Sequence, residues 1–338
     1  SMTYACVPTL RAAPDLAAEW EPRVTAARYD DRSIPAADKH GVTLGMAMTE
    51  KQGGSDVRAN TTRAESGDGA VRLVGHKWFC SAPMSDAFLT LDCLLGSAAG
   101  MRQALAQALW HTGHRTAFQR VLRDQPAMQG VLADLVLESE AATALAFRVA
   151  ASFDRAGTDA QQAAYMRLAT AVGKYWVCKR QPGFVYEALE CLGGAGFVEE
   201  GPMPRLFRQS PLNAIWEGSG NVIALDILRA CAREPESLDA VRAELAAPVG
   251  RHPAYDAHVR GLERWLTDER PHEGTARALA EALGMGLQAA ALAAGAPEFV
   301  FDGFCAARLD PETRALAYGA SRAAVDTRAL IERAYPTA

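Results

Sequence analysis

The stretch NAIWEGSGN, residues 213–221, holds the side chain best placed to do chemistry. Its single carboxylate, Glu217, stands between Trp216 and a run of glycine and serine, at the edge of an apolar segment. A carboxylate held where an aromatic side chain meets a glycine turn can be partly desolvated, which raises its pKa. The pattern therefore makes Glu217 a candidate general base, and the alternative is an ordinary solvated charge.

Two adjacent glycines lie in MTEKQGGSDV, residues 48–57. Gly53 and Gly54 can adopt positive φ, so successive backbone N–H groups can point inward as an anion-binding nest. The hydroxyls of Thr49 and Ser55 add two further donors, and a phosphate or pyrophosphate would suit this loop. The alternative is a β-turn capped by serine and aspartate, because Gly-Gly-Ser-Asp is common in turns.

Aromatic side chains mark two further candidate sites. Trp78 in GHKWFCSAP, residues 75–83, can form one wall of a site for a planar ligand, or it can be a core residue of a sheet. In HRTAFQRVLRDQ, residues 114–125, Arg115 and Phe118 are three residues apart. An arginine beside an aromatic ring can bind a pyrophosphate and an adenine. The alternative is a helix end with a solvated Arg and a core Phe.

Several familiar kinds of site are not indicated. LECLGGAGF, residues 189–197, is glycine-rich, but its spacing is not GxGxxG and it follows a helix rather than a strand. His111 and His114 have no nearby Cys, Asp or Glu partner in the sequence, so we expect no metal site. We find no P-loop and no convincing Ser/His/Asp or Cys/His arrangement.

The elements that must position these residues follow from periodicity and turn residues. Short apolar or alternating runs separated by Gly, Ser, Asn and Asp predict strands within residues 41–91. Helices are predicted near 14–28, at 97–111, from Pro126 to about Arg155, from about 160 to 192 with a potential interruption at Gln181-Pro182-Gly183, from about 220 to 233, and throughout 236–338. This order favours an α+β fold with segregated layers over a βαβ alternation. About three strands are too few to close a barrel.

Bulk properties narrow the class of protein. The 338 residues suffice for two or three domains, and the net charge of −5 argues against a generally nucleic-acid-binding surface. Seven cysteines without a CxxC pair indicate reduced thiols and a cytoplasmic protein. The start SMTYACVPTL has no signal-peptide pattern, and we expect no membrane span because no apolar stretch of about 18 residues is uninterrupted.

Taken together, these stretches resemble the acyl-CoA dehydrogenase family of flavoproteins. TEKQGGSD resembles the flavin-loop motif, KWFCS the tryptophan strand, and RTAFQRVLRDQ the Arg-x-x-Phe…Gln segment. LGGAGF and IWEGSGN resemble the two C-terminal motifs, and all five occur in the family's order over nearly the whole chain. Four stretches are closer still to the alkylation-response branch of the family: MTEKQGGSDV, NTTRAE, LVGHKWFCS and NAIWEGSGN.

The resemblance also implies the domain organisation. Residues 1–40 match a remnant of the N-terminal helical domain, 41–91 a partial, flavin-binding β domain, 92–235 a four-helix bundle carrying the catalytic Glu, and 236–338 a further C-terminal helical domain. The N-terminal domain is largely absent, and the rest of the β domain is missing at about Leu91–Asp92, where a strand pattern meets a helix pattern abruptly. We therefore expect this sequence to lack segments of a longer chain.

The activity implied by the resemblance is α,β-dehydrogenation of an acyl-CoA thioester with a short or branched acyl chain. Glu217 matches the base that removes the α-proton, and the β-hydrogen leaves as hydride to N5 of FAD. The thioester carbonyl is held by a flavin hydroxyl and by the backbone N–H of the base. An apolar pocket should raise the pKa of Glu217 towards neutrality, as a general base requires.

The cofactor contacts are carried over residue by residue. The residues that match the family's FAD contacts are Met48, Thr49, Ser55, Trp78, Cys80, Arg115, Phe118, Gln125, Gly194, Ser219 and Asn221. Cys80 stands where the family often has Thr, and Glu190 where Gln is usual, so those two contacts depart from the pattern. In the family the Arg-x-x-Phe…Gln segment reaches the dinucleotide of a neighbouring subunit, which implies a homotetramer.

Two other functions remain open at this point. One is a DNA-associated flavoprotein that protects against alkylation damage with weak or no dehydrogenase activity, binding double-stranded DNA through residues 236–338. Residues 237–338 hold eleven Arg, no Lys and fourteen Asp plus Glu, a net charge of −3, which disfavours a phosphate-binding surface unless the arginines cluster. The candidates for such a cluster are Arg251, Arg260, Arg264 and Arg270. The other is a flavin-binding protein with no substrate.

Overall fold

A computed structural model describes residues 3, 6–11, 13–32, 34–45, 49–50, 60–67, 70–77, 87–88, 93–216 and 218–335. The chain divides into two compact units, Ser1–Asp92 and Cys93–Ala338, and each contains its own cluster of buried apolar side chains. The junction at Leu91–Asp92 lies outside the described residues.

The first unit combines short helices with short strands. Its elements are α1 (Val7–Arg11), α2 (Pro14–Val24), a 3₁₀ turn (Ala36–Asp38), β1 (Leu44–Gly45), β2 (Arg63–Gly67), β3 (Ala70–Val74) and β4 (Ala87–Phe88). β1 pairs with β4 in parallel, and β2 pairs with β3 as an antiparallel ladder that sets Arg63 opposite Val74. The predicted helix near 14–28 and the predicted strand from Ala70 are confirmed.

The second unit is helical apart from one hairpin. Its elements are α3 (Cys93–His114), β5 (Thr116–Ala117), β6 (Arg120–Val121), a 3₁₀ turn (Leu122–Asp124), α4 (Pro126–Arg155), α5 (Ala160–Glu190), α6 (Gly194–Phe197), α7 (Met203–Gln209), a 3₁₀ turn (Leu212–Ala214), α8 (Gly220–Arg233), α9 (Pro235–Ala246), α10 (Pro253–Arg264), a π turn (Trp265–Glu269), a 3₁₀ turn (Glu273–Thr275), α11 (Ala276–Gly295), α12 (Glu298–Phe304), a π turn (Cys305–Leu309) and α13 (Thr327–Ala334). The helix predicted to begin at Pro126 and the helix predicted to end near Arg233 are both confirmed.

Local chemistry explains where the long helix α5 begins and why it continues through an internal proline. The Asp159 carboxylate accepts hydrogen bonds from the backbone N–H groups of Gln161 and Gln162, and so caps the first turn. The sequence left open an interruption at Gln181-Pro182-Gly183, and the structure shows that the helix continues through Pro182. A proline inside a helix costs about 3 kcal/mol. Here Phe184 and Val185, just beyond it, are fully buried in the bundle, and this burial offsets the cost.

One apolar core runs through the second unit. Helices α3, α4 and α5 pack on one another, α8 packs on α5, and α11 packs against α4, α5 and α8. Residues on both sides of position 235 contribute to this core, among them Leu145 of α4 and Leu287 of α11. α11 is long and apolar enough to cross a membrane by length and composition alone, but most of it is buried against its neighbours, as a core helix is.

A buried ion cluster ties the C-terminal part of this unit to α4 and α5. Arg308, in the π turn after α12, contacts Asp134 at 2.6 Å and Glu138 at 3.0 Å. Arg180 of α5 contacts the same Glu138 carboxylate at 2.8 Å. Burial would raise the pKa of Glu138, but the charges of Arg180 and Arg308 outweigh it and lower the pKa to about 2. Glu138 is therefore ionised inside the fold.

Candidate functional site

The sequence-predicted site residues fall into three groups. Met48, Ser55, Trp78, Cys80 and Glu217 lie outside the described residues. Thr49 belongs to the first unit. The second unit carries Arg115, Phe118, Gln125, Gly194, Ser219 and Asn221.

The Arg-x-x-Phe segment begins at the end of α3, where the exposed Arg115 donates its N–H to the carbonyl oxygen of His111, and then forms a tight hairpin. Thr116 pairs with Val121 across β5 and β6, leaving a two-residue tip of Phe118 and Gln119. Both tip residues have positive φ, +51° and +62°, a conformation that a two-residue hairpin favours but bulky side chains rarely adopt. The Phe118 side chain is 91% exposed, so the alternative of a core Phe is wrong.

Gln125 supports this hairpin from its base. Its Nε2 donates a hydrogen bond to the carbonyl oxygen of Ala117 at 3.0 Å. The backbone N–H of Leu122 donates to the carbonyl oxygen of Arg115 at 2.8 Å, which closes the base of the hairpin. Strained backbone that persists beside an exposed aromatic side chain is typical of functional positions. The structure thus shows Gln125 as a support of the hairpin, while its predicted cofactor contact stays a prediction.

The loop that carries the candidate base is held by a lysine that sequence reasoning missed. Lys174 of α5 donates from Nζ to the carbonyl oxygens of Trp216 and Gly218, both at 2.6 Å. Gly218 has φ +104°, and a Cβ there would lie 3.1 Å from Cγ1 of Ile223, so glycine is required. The signal for Lys174 was its position as a lone cation in the apolar run TAVGKYWVC.

Positive charge collects at the N-terminus of α8. Ser219 is the N-cap residue, and its side chain makes no capping bond within the described part of the chain. Asn221 accepts a hydrogen bond from Nη1 of Arg277 at 3.1 Å, and Nζ of Lys179 lies 3.3 Å from where a Cβ on Gly220 would sit. Burial, and then the charge of Arg277, lower the pKa of Lys179. A helix N-terminus beside two cations suits an anionic group.

The turn after α5 is open at its glycines. α5 ends at Glu190, and Gly193 adopts φ +57° before α6 begins at Gly194. A Cβ at Gly193 or Gly194 would meet no atom of the described residues within 4 Å. The space beside these glycines is therefore free for a group from outside the described residues.

Glu50 is a second residue that sequence reasoning missed. It lies next to Thr49 in the predicted flavin loop, and it is 1% exposed. Its carboxylate accepts from the backbone N–H groups of Thr61 at 2.7 Å and Thr62 at 2.9 Å, and from Nζ of Lys77 at 3.1 Å. These donors, the Thr61 N–H foremost, hold the pKa of Glu50 well below its usual range. Glu50 thus ties the start of the loop to the segment that leads into the tryptophan motif.

Metal ligands are not gathered in the described part of the chain. No group of three or more His, Cys, Asp or Glu there is arranged to hold a metal ion. The two helical histidines have different surroundings: burial, and then the charge of Arg115, lower the pKa of His111, while the His114 ring bonds to the carbonyl oxygen of Trp110.

Comparison with known proteins places this geometry in context. Residues 91–232 match the domain described as acyl-CoA dehydrogenase, C-terminal domain, and residues 1–31 match the adaptive response protein AidB N-terminal domain. A putative acyl-CoA dehydrogenase AidB from Escherichia coli is 35% identical over 357 residues. That alignment covers 84% of this chain and 65% of the E. coli protein, so the chain spans less than two thirds of that relative's length.

Two solved structures share the fold. Caenorhabditis elegans ACDH-11 in complex with C11-CoA superposes with a TM-score of 0.76 at 20% identity, covering 98% of this chain and 74% of that one. An acyl-CoA dehydrogenase complexed with FAD from Bacillus anthracis superposes with a TM-score of 0.60 at 15% identity, covering 78% and 66%. At these identities the likeness is one of fold.

Proposed function

Because this chain belongs to the acyl-CoA dehydrogenase family, we propose that it binds FAD and dehydrogenates an acyl-CoA thioester with a short or branched acyl chain. The observation that carries the proposal is the fixed loop on either side of Glu217. Lys174 binds the carbonyl oxygens of Trp216 and Gly218, so the bundle holds the two residues that flank the candidate base. Precise placement of a base against a substrate is what proton abstraction requires.

The described residues fit a dinucleotide at two places. The exposed Phe118 and Arg115 side chains offer an aromatic face and a guanidinium, which suit an adenine ring and a phosphate. The N-terminus of α8, with Lys179 and Arg277 close by, suits an anionic group. When bound, FAD supplies the acceptor for the substrate's β-hydride.

The chain's own residues supply the remaining steps of the proposed reaction. Glu217 takes the α-proton onto a carboxylate oxygen, and the backbone N–H of the same residue donates to the thioester carbonyl oxygen. That donation stabilises the negative charge which develops on the oxygen as the proton leaves. Gly218, without a side chain, allows the thioester to approach this N–H closely. Trp216 forms part of the pocket wall.

Flavin reduction tests this proposal directly. The purified protein should show flavin absorption, and a panel of short and branched acyl-CoAs should bleach it in the absence of oxygen. Replacing Glu217→Gln should slow that bleaching by about 10²–10⁴-fold, the usual contribution of a general base. Glu199→Gln is the matched control, since Glu199 is an exposed partner of Arg208. Equal rates in the Glu217 variant and wild type would remove Glu217 from the mechanism.

A DNA-binding role is the second candidate, favoured by one face of α10. Arg260 and Arg264 lie one turn apart on its exposed side, and neither side chain has a partner among the residues that the structure describes. Arg251, which we also considered, is engaged: it donates to the carbonyl of Ala293 at 2.6 Å and stacks over Phe301. We therefore assign the DNA contact to Arg260 and Arg264, since Arg270, the fourth candidate, lies beyond α10 at the end of the π turn.

Fluorescence anisotropy with a labelled duplex separates this role from the enzyme. Binding should weaken steeply with salt and be lost in the Arg260→Glu/Arg264→Glu double variant. Arg328→Glu is the control, because Arg328 pairs with Glu332 on α13. Absence of binding to the wild-type chain at low salt would discard the DNA role and leave the dehydrogenase proposal untouched.

We also propose that the protein assembles as a homotetramer. An aromatic side chain as exposed as Phe118 on a strained hairpin suits a contact outside its own chain, such as a cofactor held by a neighbouring subunit. Light scattering gives the mass in solution, and a monomer that binds FAD tightly would contradict the shared site.

A further inference from the structure

A cavity of about 320 Å³ lies between α5, α11 and the chain that follows α12. Its lining includes Trp176 and Arg180 of α5, Glu281 and Met285 of α11, and Arg314 and Leu316 of the loop after the second π turn. None of these residues belongs to the groups considered above for the base or the cofactor. The volume is at the lower end of the range for small-molecule sites, so a ligand that fits here is small.

Arg180 has part of its guanidinium available at this cavity. Its Nε and Nη2 donate to the Glu138 carboxylate at 3.2 and 2.8 Å, and its guanidinium carbon lies over the rings of Trp176 and Tyr318. Nη1 makes no hydrogen bond to any residue that the structure describes, although the side chain is 27% exposed. The carboxylate and the two rings fix the plane of the guanidinium, so the N–H groups on Nη1 are oriented before a ligand arrives.

Two opposite charges at the cavity have no ion-pair partner in the described ranges of the chain. Arg314 and Glu281 are both exposed, and within those ranges neither side chain makes a hydrogen bond or ion pair, with the other or with a third residue. The guanidinium N–H groups of Arg314 and the carboxylate oxygens of Glu281 are therefore available to a ligand.

The charge balance of the lining favours a ligand that carries both signs. The two arginines of the buried ion cluster are balanced by the two carboxylates of that cluster. Arg314 and Glu281 then remain, one positive and one negative. A singly charged ligand would satisfy one of them and approach a like charge at the other. A zwitterion satisfies both at once.

The remaining surface of the cavity is partly apolar. Met285 is half-buried, and Leu316 is fully exposed on the loop. Covering such side chains removes apolar area from water, which favours binding of an apolar group. A small zwitterion with an apolar group attached is an α-amino acid such as leucine.

We propose that this cavity binds an α-amino acid with an apolar side chain. The carboxylate is held by Arg314 and by Nη1 of Arg180, and the ammonium is held by Glu281. The apolar side chain lies against Met285 and Leu316. Because α5 precedes position 235 and the other lining segments follow it, the ligand contacts both parts of the second unit. The site is independent of the proposed dehydrogenase reaction.

Isothermal titration calorimetry of the whole chain with three probes tests the charge pattern. L-leucine should bind with a dissociation constant of about 1 mM or tighter, a modest affinity that suits a ligand of so few atoms. Isocaproate has the same carbon skeleton without the ammonium, and leucinamide lacks the carboxylate. Each analogue should bind about tenfold more weakly or worse, because each loses one charge-assisted contact.

Two variants should change the selectivity in opposite ways. Arg314→Gln should weaken leucine and isocaproate by about tenfold and leave leucinamide within about 3-fold of its wild-type affinity. Glu281→Gln should weaken leucine and leucinamide by about tenfold, while isocaproate binds as well as before or better, since a like charge has been removed. Both residues are exposed and unpaired within the described residues, so the fold should tolerate both changes.

Arg205→Gln is the matched control. Arg205 is an exposed arginine of α7, it also has no ion-pair partner in the part of the chain that the structure describes, and it does not line the cavity. Its replacement should leave all three affinities at the wild-type values. A loss equal to that of Arg314→Gln would overturn the proposal, since a general loss of positive charge would then explain both.

Two further results would also overturn it. No heat of binding with leucine up to about 20 mM would show that the cavity takes no amino acid. Leucine binding that neither Arg314→Gln nor Glu281→Gln weakens would place the ligand elsewhere on the protein. Flavin reduction by an acyl-CoA enters none of these measurements, so the proposed function and this site stand or fail separately.

Discussion

Two regions of the second unit lie close together along the chain and use polar groups differently. The hairpin of Thr116–Val121 directly precedes α4. The ion cluster is centred on Glu138, a residue of α4. In the cluster, each buried charge faces an opposite charge. In the hairpin, two residues adopt positive φ while Phe118 faces solvent.

The difference separates two reasons for keeping a costly feature. The cost of the cluster is offset within the chain, so it indicates a contribution to stability. The hairpin is held from its base by Gln125 and Leu122, while its tip keeps a strained backbone beside an exposed aromatic side chain, which is typical of a functional position. Substitutions should therefore act on different measurements: stability for the cluster and binding for the hairpin.

Removing the central charge of the cluster should have the largest effect on stability. Glu138→Gln removes the carboxylate that Arg180 contacts and leaves Arg308 with Asp134 alone, at a cost of about 3–5 kcal/mol in the free energy of unfolding. Urea unfolding followed by circular dichroism measures the loss. Glu140→Gln is the matched control on the same helix: its partly exposed pair with Arg333 should contribute less than about 1 kcal/mol. Equal losses would show that burial of the charge is not what matters.

In the wild-type protein, the free energy of unfolding should fall in acid as Glu138 becomes protonated. The pKa of Glu138 is about 2 in the folded chain and ordinarily 4.5. A folded-state pKa below the unfolded one stabilises the protein above pH 4.5, and that stability is lost as the pH falls from about 4.5 to about 2. Because one pKa unit corresponds to about 1.4 kcal/mol, the contribution across this range is about 3 kcal/mol. Unfolding at a series of pH values should show a shallower acid dependence in Glu138→Gln, and parallel curves would contradict the assignment.

Replacing the hairpin tip should act in the opposite direction. Asn-Gly is the preferred pair for two positive-φ residues, so Phe118→Asn/Gln119→Gly should relieve strain and raise the free energy of unfolding by about 1 kcal/mol. The same variant should weaken FAD binding by about tenfold or more, because an aromatic contact contributes about 1 kcal/mol or more. Calorimetry gives stability, and titration of the apoprotein gives affinity. Unchanged FAD affinity would remove the tip from the proposed site.

The outline of the fold could be predicted from sequence where the signals are local. Pro126 at a first helical turn, an apolar period and the glycine before Asn221 gave α4 and α8 with their observed ends. The continuity of α5 through Pro182 could not be predicted, because it depends on burial of Phe184 by distant helices. Tertiary packing overrides local propensity at such positions.

From the sequence, the candidate site could be predicted only where its residues belong to recognisable motifs. Glu50 and Lys174 escaped because their partners are far away in sequence: Lys77 for the first, Trp216 and Gly218 for the second. No spacing rule relates such positions, and only the folded backbone brings them together. The hairpin was missed for another reason, since neither Phe118 nor Gln119 is a residue that turn statistics favour at positive φ.

The smallest effect is expected at Gln125, where sequence and structure suggest different roles. The hydrogen bond from its Nε2 to Ala117 is partly exposed, so Gln125→Ala should lower the free energy of unfolding by about 0.5–1.5 kcal/mol. Gln129→Ala, one turn further along α4, is the control. FAD affinity should fall only a few-fold, because the hairpin is loosened rather than removed.

Combining Gln125→Ala with the Asn-Gly tip decides between the two roles. If Gln125 acts only by supporting the hairpin, its effect on FAD affinity should disappear once Phe118 and Gln119 are replaced. If it contacts the dinucleotide directly, as the resemblance implies, the two effects on binding free energy should add within about 0.5 kcal/mol. The structure favours the first result, since the one hydrogen bond from the Gln125 amide within the described residues is to Ala117. Additive losses would show that Gln125 contacts the dinucleotide directly. The hairpin would then be supported by its backbone hydrogen bonds alone.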